Sequence, residues 1–415
     1  MVSKFIEEVY ALSKVLPRDD LSEFEKILAY YDNPQRSFSS ALVLGTNGKG
    51  STSQYFSSIL AETGRKIGLF TSPHLFSYTE RMKVNDREIS VARIESYIED
   101  IFATMKELGV SLSFFECTTL IAFRYFKDEG VDFAVIETGL GGKLDPTSII
   151  KPELYLLTNI DKDHQEFFGE TYEKIVKSEL EILRPNIPVF CGEDRKNIQE
   201  IISEYCQQKH IPLRFVLDTT RIILKEKKES LNKQEVMYEG EYTGSLMLQA
   251  GEYQQRNALL AIIGAHFFNV SSKNIQQGVS NVYIRGRMEY IQQNPLILVD
   301  GAHNELGLSE LVKELQKLPR PITLIYGQSK SGWKKYIAQD IISSVNSCIF
   351  TQGEHKAESA QDLFARFGSE KSYVKKDVKD AIIYAKEITP KTGSICITGS
   401  LYMISLALSE LKHDI

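Results

Sequence analysis

The stretch LVLGTNGKGSTS, from Leu42 to Ser53, joins an apolar run to a turn of glycines, hydroxyls and one lysine. Its three glycines let the backbone bend so that successive N–H groups point into one cavity, and Lys49 adds a positive charge. The amphipathic residues that follow, as far as Glu62, predict a helix that begins behind the turn. The pattern predicts a phosphate cradle for ATP or another polyphosphate. The alternative is a surface turn rich in small residues.

The spacing of this loop differs from the common G-x-x-x-x-G-K-[ST] pattern. Val43 stands at the first glycine position, and Gly50 separates Lys49 from Ser51. Strand, glycine loop, lysine, hydroxyl and helix nevertheless follow one another in the required order. We therefore interpret the stretch as a variant phosphate loop.

The composition is that of an ordinary globular protein. A chain of 415 residues, 42% hydrophobic and 25% charged, predicts about two domains. A formal net charge of -6 gives no support for a nucleic-acid partner. The five cysteines form no C-x-x-C pair, so neither a disulfide framework nor a zinc site is indicated. The sequence contains no run that approaches the roughly 18 apolar residues of a membrane span. The first residues also lack the apolar core of a secretory signal. We therefore expect a cytoplasmic protein with no membrane partner.

Apolar, strand-like runs alternate with helical patterns in the first part of the chain, which predicts a parallel sheet with crossover helices. The runs lie at residues 41–45, 66–70, 133–139, 154–160 and 188–192. In such sheets a ligand binds outside the carboxyl ends of the strands. The glycine loop falls at such an end, and so do Ser72, Glu137 and His164. We therefore expect these groups to converge on one site.

The last part of the chain predicts a separate, smaller α/β domain. Residues 213–250 are interpreted as hairpins or an excursion at the sheet edge, and a helical run follows Gly251. Strand-like runs then begin again at Pro295, so the boundary is placed near Arg285. The predicted fold class is α/β: a parallel-sheet P-loop ATP-binding domain over residues 1–284, followed by a smaller Rossmann-like α/β domain over residues 285–415.

Glu137 is the strongest candidate metal ligand on residue chemistry alone. It ends a strand of buried character just before a GLGG turn, where an ionised carboxylate is costly unless it is paired or bound to a metal. Mg²⁺ that bridges nucleotide phosphates needs one or two such carboxylates. The alternative is a glutamate that caps a helix or a turn.

Two other residues are weaker candidates. His164, close to Asp161 and Asp163, either faces the same cleft or caps the next helix. Ser72 alone indicates only a turn.

A further group of polar residues follows the first strand of the C-terminal part. Asp300, His303 and Asn304 come directly after that strand, and the basic residues Arg285 and Arg287 precede it. Charges of both signs at a domain junction suit a nucleotide held between the domains. The alternatives are an interdomain salt bridge for the two arginines and helix capping for His303.

Taken together, the motifs resemble those of the folylpolyglutamate synthase and dihydrofolate synthase family, within the Mur ligase superfamily. The resemblance runs nearly end to end. It rests on GTNGKGST at 45–52, TSPHLFSYTERM at 71–82, SFFECTT at 113–119, ETGLGGKLDPTS at 137–148, TNIDKDH at 158–164, RNALLAI at 256–262, GRME at 286–289, DGAHN at 300–304 and GSLYMIS at 399–405.

The resemblance implies an ATP-dependent ligase that adds L-glutamate to folates, with dihydropteroate as a second acceptor. In the implied reaction the acceptor carboxylate takes the γ-phosphoryl group of ATP, and the amine of L-glutamate then attacks the acyl phosphate. The implied cofactors are ATP and Mg²⁺, with two metal sites. The implied state is a monomer.

The resemblance also implies roles for individual residues. The implied ATP-binding residues are Thr46, Asn47, Gly48, Lys49, Gly50, Ser51, Asn257, Arg287 and Asp300. The implied metal ligands are Ser72, Glu137 and His164, with Glu179 at the position of a further family ligand. The implied catalytic residues are Lys49, Glu137, His164, Glu179 and His303. The implied folate-binding residues are Ser113, Phe115, Lys143 and Asp145, and an aromatic ring suits a flat heterocycle.

Three departures from the family pattern bear on function. The family carries a lysine, carbamylated to give a carboxylate near the second magnesium, where this chain has Glu179. Lys177 points to a different face of the helix, so we hypothesise that Glu179 supplies the negative charge directly. The family's G-x-x-x-D-K-D reads GQSKSGW at 327–333. Lys143 and Pro146 replace Arg and Ala in GGRLDAT, and Lys lacks the planar bidentate donor of Arg.

The sequence leaves two other functions open. One is a ligase of the same superfamily that joins another amino acid to another carboxylate acceptor. The other is an ATP-binding protein that no longer catalyses, which the changes at Glu179 and at residues 331–333 suggest. Release of ADP that depends on a pterin acceptor separates a folate ligase from both.

Overall fold

The computed structural model describes residues 4–12, 19–162, 171–228, 231–330, 337–354 and 357–412. The chain divides into two compact units. The first comprises Met1–Leu224, Val236–Met247 and Arg256–Val282, and the second comprises Lys225–Glu235, Leu248–Gln255 and Tyr283–Ile415.

An eight-stranded sheet forms the centre of the first unit. Its strands are β1 (Ser39–Leu44), β2 (Ile67–Phe70), β3 (Met82–Val84), β4 (Arg87–Glu88), β5 (Phe133–Glu137), β6 (Leu154–Leu157), β7 (Val189–Cys191) and β8 (Leu213–Phe215). They are ordered β4-β3-β2-β5-β1-β6-β7-β8. All neighbours pair in parallel except β3 and β4, which add an antiparallel ribbon at one edge. Because β1 lies between β5 and β6, the loops that follow these three strands meet at one edge of the sheet.

The described part of the first 282 residues contains ten helices. They are α1 (Lys4–Ala11), α2 (Ser22–Tyr30), α3 (Lys49–Ala61), α4 (Val91–Leu108), α5 (Phe114–Asp128), α6 (Tyr172–Leu180), α7 (Lys196–Gln208), α8 (Val216–Thr219), α9 (Glu252–Phe267) and α10 (Ser272–Asn281). Short 3₁₀ helices cover Pro34–Arg36, Tyr78–Arg81 and Pro146–Ile149.

The core of the first unit explains why its strands read as nearly unbroken apolar runs. In β1 every residue after Ser39 is buried, because helices cover both faces of a parallel sheet. Leu42 and Leu44 from this strand share one hydrophobic cluster with Phe123 of α5 and Ile175 of α6. The helices that border the candidate site are therefore fixed to the sheet by apolar burial.

Three strands, β9 (Thr220–Lys228), β10 (Lys233–Gly240) and β11 (Gly244–Gln249), form a small separate sheet with the order β11-β10-β9. Their residues are divided between the two units. The prediction of hairpins for residues 213–250 agrees with this sheet. Its first strand-like stretch instead forms β8 at the edge of the large sheet.

A six-stranded sheet forms the centre of the second unit. Its strands are β12 (Glu289–Gln293), β13 (Leu296–Val299), β14 (Ile322–Tyr326), β15 (Ser347–Phe350), β16 (Ser372–Val374) and β17 (Ser394–Thr398). They are ordered β12-β13-β17-β14-β15-β16, and only β12 is antiparallel to its neighbour. The helices are α11 (Glu305–Leu315), α12 (Ile337–Ser343), α13 (Ala360–Phe367), α14 (Val378–Ile388) and α15 (Leu401–Lys412). None of the helices that the structure describes is both long enough and apolar enough to cross a membrane.

The predicted α/β fold class is confirmed, although two strands end earlier than the apolar pattern predicts. β5 ends at Glu137 rather than at residue 139, and β6 ends at Leu157 rather than at residue 160. The residues beyond these ends form the candidate site instead of continuing the ladder. The division into units assigns residues 225–235 and 248–255 to the second unit. The functional boundary near residue 285 stays a prediction.

Helix α10 packs closely on α3, the helix that follows the phosphate loop. A Cβ at Gly278 would lie 2.4 Å from the Cα of Ile59. The Ser58 hydroxyl donates to the Gly278 carbonyl at 2.7 Å. Only glycine permits this backbone approach.

We expect Gly278→Ala to lower the free energy of unfolding by about 1–3 kcal/mol, measured by urea denaturation. Over-packing must push the two helices apart, and this outweighs the ~1 kcal/mol that alanine gains in helix propensity. Gln277→Ala, at the neighbouring exposed position, is the matched control and should change the unfolding free energy by less than about 0.5 kcal/mol. A Gly278→Ala protein as stable as the wild type would contradict the close packing.

Candidate active site

The phosphate loop follows β1 and leads directly into α3, at the carboxyl edge of the large sheet. Gly45 and Gly48 have φ angles of +117° and +87°, which favour glycine. A Cβ at Gly45 would lie 2.4 Å from Thr158 Oγ1, and a Cβ at Gly48 would lie 2.3 Å from Asn257 Oδ1. Both backbone conformation and close neighbours therefore require glycine. Asn257, predicted from the sequence as a nucleotide contact, lies beside this loop in the same unit.

The Lys49 side chain curls back over the phosphate loop. Its Nζ donates to the carbonyl of Gly45 at 2.6 Å and to that of Thr46 at 3.2 Å. The ammonium group is thus held at the mouth of the turn, where the N-terminus of α3 also presents backbone N–H groups. This combination of positive charge and N–H donors suits an anion such as a phosphate group.

The residues after β6 hold the phosphate loop from its other side. Asn159 accepts from the Asn47 N–H at 3.1 Å through Oδ1, and its amide donates to the Asn47 carbonyl at 3.0 Å. Thr46 N–H donates to the Asn159 carbonyl at 2.8 Å. Asn159 belongs to the TNIDKDH motif at 158–164 but is not among the predicted site residues. The signal available was an amide side chain placed directly after a strand that neighbours β1.

Glu137, at the end of β5, lies against the start of α3. Its side chain is buried, and its Oε2 accepts from the Ser72 N–H at 2.8 Å. A Cβ at Gly50 would lie 3.4 Å from the same oxygen. Three sequence-predicted site residues, Ser72, Glu137 and Gly50, are thus neighbours in the structure.

The loop that begins at Ser72 is held by two charged side chains from its own far end. Glu80 accepts from the backbone N–H of Leu75 at 2.8 Å. Arg81 Nε donates to His74 Nδ1 at 2.8 Å. Burial, together with the Arg81 charge, lowers the pKa of His74 to about 4, so this ring is neutral at neutral pH. The contacts fix the start of the loop beside Glu137.

Glu179 reaches the phosphate loop from the last turn of α6. Its side chain is buried, and Thr46 Oγ1 donates to its Oε1 at 3.3 Å. A Cβ at Gly141 would lie 3.9 Å from Glu179 Cγ. Lys177 is exposed on another face of the helix. Glu179 therefore lies beside the phosphate loop, and its role as a metal ligand stays a prediction.

The donor set at this edge of the sheet fits Mg²⁺. Glu137 and Glu179 offer carboxylate oxygens and Ser72 a hydroxyl, and Mg²⁺ prefers oxygen ligands with one or two protein carboxylates. Within the ranges that the structure describes, no group of three or more His, Cys, Asp and Glu side chains comes together as a metal site. The predicted ligand His164 lies outside the described residues.

Two of the predicted folate-binding residues lie at the start of α5. Ser113 caps this helix, because its Oγ accepts from Glu116 N–H while Glu116 Oε2 accepts from Ser113 N–H at 2.7 Å. The Phe115 ring is half-buried and lies 5.8 Å from the Phe70 ring, measured between centroids. A Cβ at Gly139 would lie 2.5 Å from that ring. Phe115 therefore places an aromatic ring against Gly139, which lies two residues after the end of β5 at Glu137.

The other two predicted folate-binding residues belong to the turn after β5. Asp145 is buried, and its Oδ1 accepts from the N–H and the hydroxyl of Thr147 at 2.9 and 2.6 Å. Its Oδ2 accepts from Gly141 N–H at 3.0 Å. Asp145 thus shapes the turn, whereas the Lys143 side chain is exposed. A role of either residue in folate binding stays a prediction.

Asp300 organises the end of β13 in the second unit. Its carboxylate is buried. Oδ2 accepts from the Tyr253 hydroxyl at 2.5 Å and from Met288 N–H at 2.8 Å, and Oδ1 accepts from Ala302 N–H at 2.8 Å. These bonds fix the turn that follows the strand. They also place the charge beneath the turn rather than at its surface.

The neighbours of Asp300 include the two predicted arginines. Arg285 Nε pairs with Glu289 Oε1 at 2.6 Å, a local pair four residues apart in the same unit. A Cβ at Gly301 would lie 2.8 Å from Arg287 Nη1, so this guanidinium lies directly over the turn. Arg285 is thus ion-paired within the second unit rather than in the interdomain salt bridge considered from the sequence, and Arg287 stays a predicted nucleotide contact.

His303 lies exposed at the same turn, where its Nδ1 is 2.8 Å from the Gly301 carbonyl. Asn304 caps α11, accepting from Gly307 N–H at 3.0 Å through Oδ1. The capping role considered for His303 is thus filled by its neighbour. The other departure from the family pattern, at residues 331–333, lies outside the described residues.

Known proteins resemble this chain over nearly its full length. Residues 43–265 match the Mur ligase middle domain, and residues 286–401 match the Mur ligase glutamate ligase domain. The dihydrofolate synthase/folylpolyglutamate synthase of Bacillus subtilis is 30% identical to it, over 94% of this chain and 95% of that protein. This chain belongs to the folylpolyglutamate synthase and dihydrofolate synthase family. It is therefore an ATP-dependent Mur-type ligase that joins an acid to an amino acid.

Further relatives of this family agree in sequence and in fold. The folylpolyglutamate synthase of Lacticaseibacillus casei is 28% identical over 97% of each chain. The crystal structure of folylpolyglutamate synthase from Thermotoga maritima matches with a TM-score of 0.82 and 26% identity, over 99% of this chain and 96% of that chain. The expected family and two-domain α/β fold are thus confirmed.

We expect Gly48→Ala to weaken ATP binding at least tenfold, measured by titration of a fluorescent ATP analogue. The added Cβ would strike Asn257 Oδ1 at 2.3 Å, and the φ of +87° is strained for alanine. Gly64→Ala is the matched control, because Gly64 has a φ of +82° but nothing within 4 Å of the added Cβ. The Gly64→Ala variant should have a lower free energy of unfolding but an unchanged affinity for the nucleotide. Equal affinities of the two variants would contradict the predicted phosphate cradle.

Proposed function

We propose that this chain adds L-glutamate to folates by way of an acyl phosphate, using ATP and Mg²⁺, with dihydropteroate as a second acceptor. The observation that carries the proposal is the convergence of a lysine-bearing phosphate loop, a buried carboxylate and an aromatic wall at one edge of the sheet. Family membership supports it, because the curated relatives are named for dihydrofolate and folylpolyglutamate synthesis.

The first step we propose is transfer of the γ-phosphoryl group of ATP to the acceptor carboxylate. Such a transfer needs positioning and charge stabilisation more than covalent chemistry. Lys49 and the backbone N–H groups of residues 46–51 would hold the phosphates. Ser72, Glu137 and Glu179 would hold Mg²⁺ together with His164, and the ion would neutralise charge on the phosphate oxygens. The half-buried Phe115 ring would stack on the pterin.

The second unit would contribute further nucleotide contacts. Arg287 is proposed to bind the nucleotide and His303 to lie near the transferred group, since both flank the turn after β13. Asp300, whose carboxylate already accepts three hydrogen bonds, would act by holding that turn. We propose residues 1–284 and 285–415 as the functional domains. The matches of residues 43–265 and 286–401 to separate domain families support this division.

We also propose that the protein is a cytoplasmic monomer. All five cysteines are free and buried, as expected of a protein kept in a reducing compartment. The family resemblance is the support for a monomer. No charge pattern calls for nucleic acid, since the formal net charge is -6.

The decisive assay of the proposed function is ADP release from the purified protein with ATP, Mg²⁺ and L-glutamate. Dihydropteroate, tetrahydrofolate or no acceptor is added in parallel, and products are identified by mass. We expect release that depends on a pterin acceptor and a product heavier by one glutamyl residue. ATP binding without pterin-dependent turnover would contradict the folate assignment and point to a different acceptor or to lost catalysis.

Glu179 is expected to act through its negative charge. Glu179→Gln keeps the shape of the side chain but removes the charge beside the phosphate loop, so kcat should fall at least tenfold, or about 1.4 kcal/mol in the barrier. Glu181→Gln, at an exposed position two residues along, is the matched control and should retain normal kcat. Steady-state ADP release measures both.

The Mg²⁺ concentration that gives half-maximal ADP binding should also rise in Glu179→Gln. Removing a negative ligand weakens attraction for the cation. Full activity and unchanged Mg²⁺ dependence in Glu179→Ala would show that this carboxylate has no such role.

A further inference from the structure

Beside the phosphate loop lies a cluster of four side chains that are not among the predicted site residues. The Asp161 cluster consists of Asp161, Tyr172, Glu193 and Arg195. Asp161 and Glu193 are only 8% and 1% exposed. They follow β6 and β7, while Tyr172 begins α6 and Arg195 precedes α7. All four lie in the first unit.

Arg195 and Glu193 hold the backbone where β6 has ended. Arg195 pairs with Glu193 through two bonds, Nε to Oε1 at 2.8 Å and Nη2 to Oε2 at 2.9 Å. Glu193 Oε2 accepts from Ile160 N–H at 3.1 Å, and Arg195 Nη2 donates to the Ile160 carbonyl. Both backbone groups of Ile160 are thereby satisfied without a neighbouring strand. A bidentate pair of this kind gives geometric specificity as well as energy.

Asp161 connects this backbone to the first residue of α6. Its Oδ1 accepts from the Tyr172 hydroxyl at 2.9 Å and from Arg195 Nη1 at 3.4 Å. Burial, and then the negative charge of Asp161, raises the pKa of Tyr172, so the phenol keeps its proton and donates it. The Asp161 N–H donates to Thr46 Oγ1 at 2.8 Å. One residue therefore contacts both the phosphate loop and the helix.

The contacts close a ring through α6. Tyr172 and Glu179 are seven residues apart, so they lie on one face of the helix about two turns, or roughly 10 Å, from each other. The first is bonded to Asp161, and the second accepts from Thr46, which in turn accepts from Asp161 N–H. The helix is thus tied at both ends to the segment that holds the phosphate loop.

We infer that Tyr172, Asp161 and Arg195 are positioning residues that fix the orientation of Glu179 toward the phosphate loop. The inference rests on the proposed function of Glu179 as a charge at the phosphate site. Apolar burial of Ile175 and Leu180 attaches α6 to the core without the Tyr172 hydroxyl. The helix therefore forms without the Tyr172 hydroxyl, and the hydroxyl fixes only the orientation of the helix. A mutation far from the chemistry that misplaces a catalytic group by about 1 Å can cost up to about a hundredfold in rate.

The test begins with Tyr172→Phe, which removes one hydroxyl and keeps the ring. Tyr205→Phe on α7, also half-buried against the same core, is the matched control. We expect kcat for ADP release to fall about tenfold in Tyr172→Phe. This is less than the loss for a 1 Å displacement, because the other contacts of α6 still restrain Glu179. KM for the pterin acceptor should stay within about twofold, because the hydrogen bonds of the cluster lead to the phosphate loop and to α6. Tyr205→Phe should match the wild type.

A second readout does not depend on turnover. The Mg²⁺ concentration for half-maximal ADP binding, measured by calorimetry, should rise several-fold in Tyr172→Phe and stay unchanged in Tyr205→Phe. If wild-type protein fails to ligate folates, the proposed function fails, and this binding measurement still tests the cluster. A Tyr172→Phe protein that equals Tyr205→Phe in both kcat and Mg²⁺ dependence would overturn the inference.

Two further comparisons separate positioning from general stability. Asp161→Asn keeps an acceptor for Tyr172, so it should retain several-fold more activity than Asp161→Ala. The double variant Tyr172→Phe with Glu179→Gln should bind ADP with the same Mg²⁺ dependence as Glu179→Gln alone, because Tyr172 acts through Glu179. Additive effects, or equal loss in the two Asp161 variants, would show that the cluster acts elsewhere.

Discussion

The backbone turn between β1 and α3 is the constraint on which the rest of the site depends. Its glycines leave no room for a side chain, because Thr158 and Asn257 occupy the space that a Cβ would need at Gly45 and Gly48. The turn is also bonded to the exit of β6 through Asn159. Three neighbouring strands therefore end in one rigid frame, and Glu137 from β5 meets it at the start of α3.

Three buried carboxylates lie near the phosphate loop, and each has a defined hydrogen-bond partner. Glu137 accepts from Ser72 N–H, Glu179 from the Thr46 hydroxyl, and Glu193 from Arg195. An ionised carboxylate is retained in such surroundings only when hydrogen bonds or cations compensate its lost hydration. The first two carboxylates border the phosphate loop, where Mg²⁺ would complete their compensation. The third, Glu193, is compensated by Arg195 within the protein, and it holds the backbone of Ile160 in place.

The sequence predicts the fold and the phosphate loop because both depend on local pattern. Alternating apolar runs and a glycine-rich turn need no knowledge of distant residues. The roles of Ser113, Asp145 and Asp300 were less visible, since the structure engages all three in hydrogen bonds that shape turns and helix starts. The Asp161 cluster could not be predicted at all. Asp161 and Arg195 are 34 residues apart and meet only because β6 and β7 are neighbours.

The central claim is that a carboxylate of the acceptor is activated by phosphorylation at this loop. The most direct test is a single turnover with a pterin acceptor whose carboxylate carries a heavy oxygen isotope, followed by mass analysis of the inorganic phosphate released. The account predicts that one labelled oxygen passes from the acceptor to phosphate as the amide bond forms. Glutamate ligation with unlabelled phosphate would contradict the acyl phosphate and the role assigned to this site.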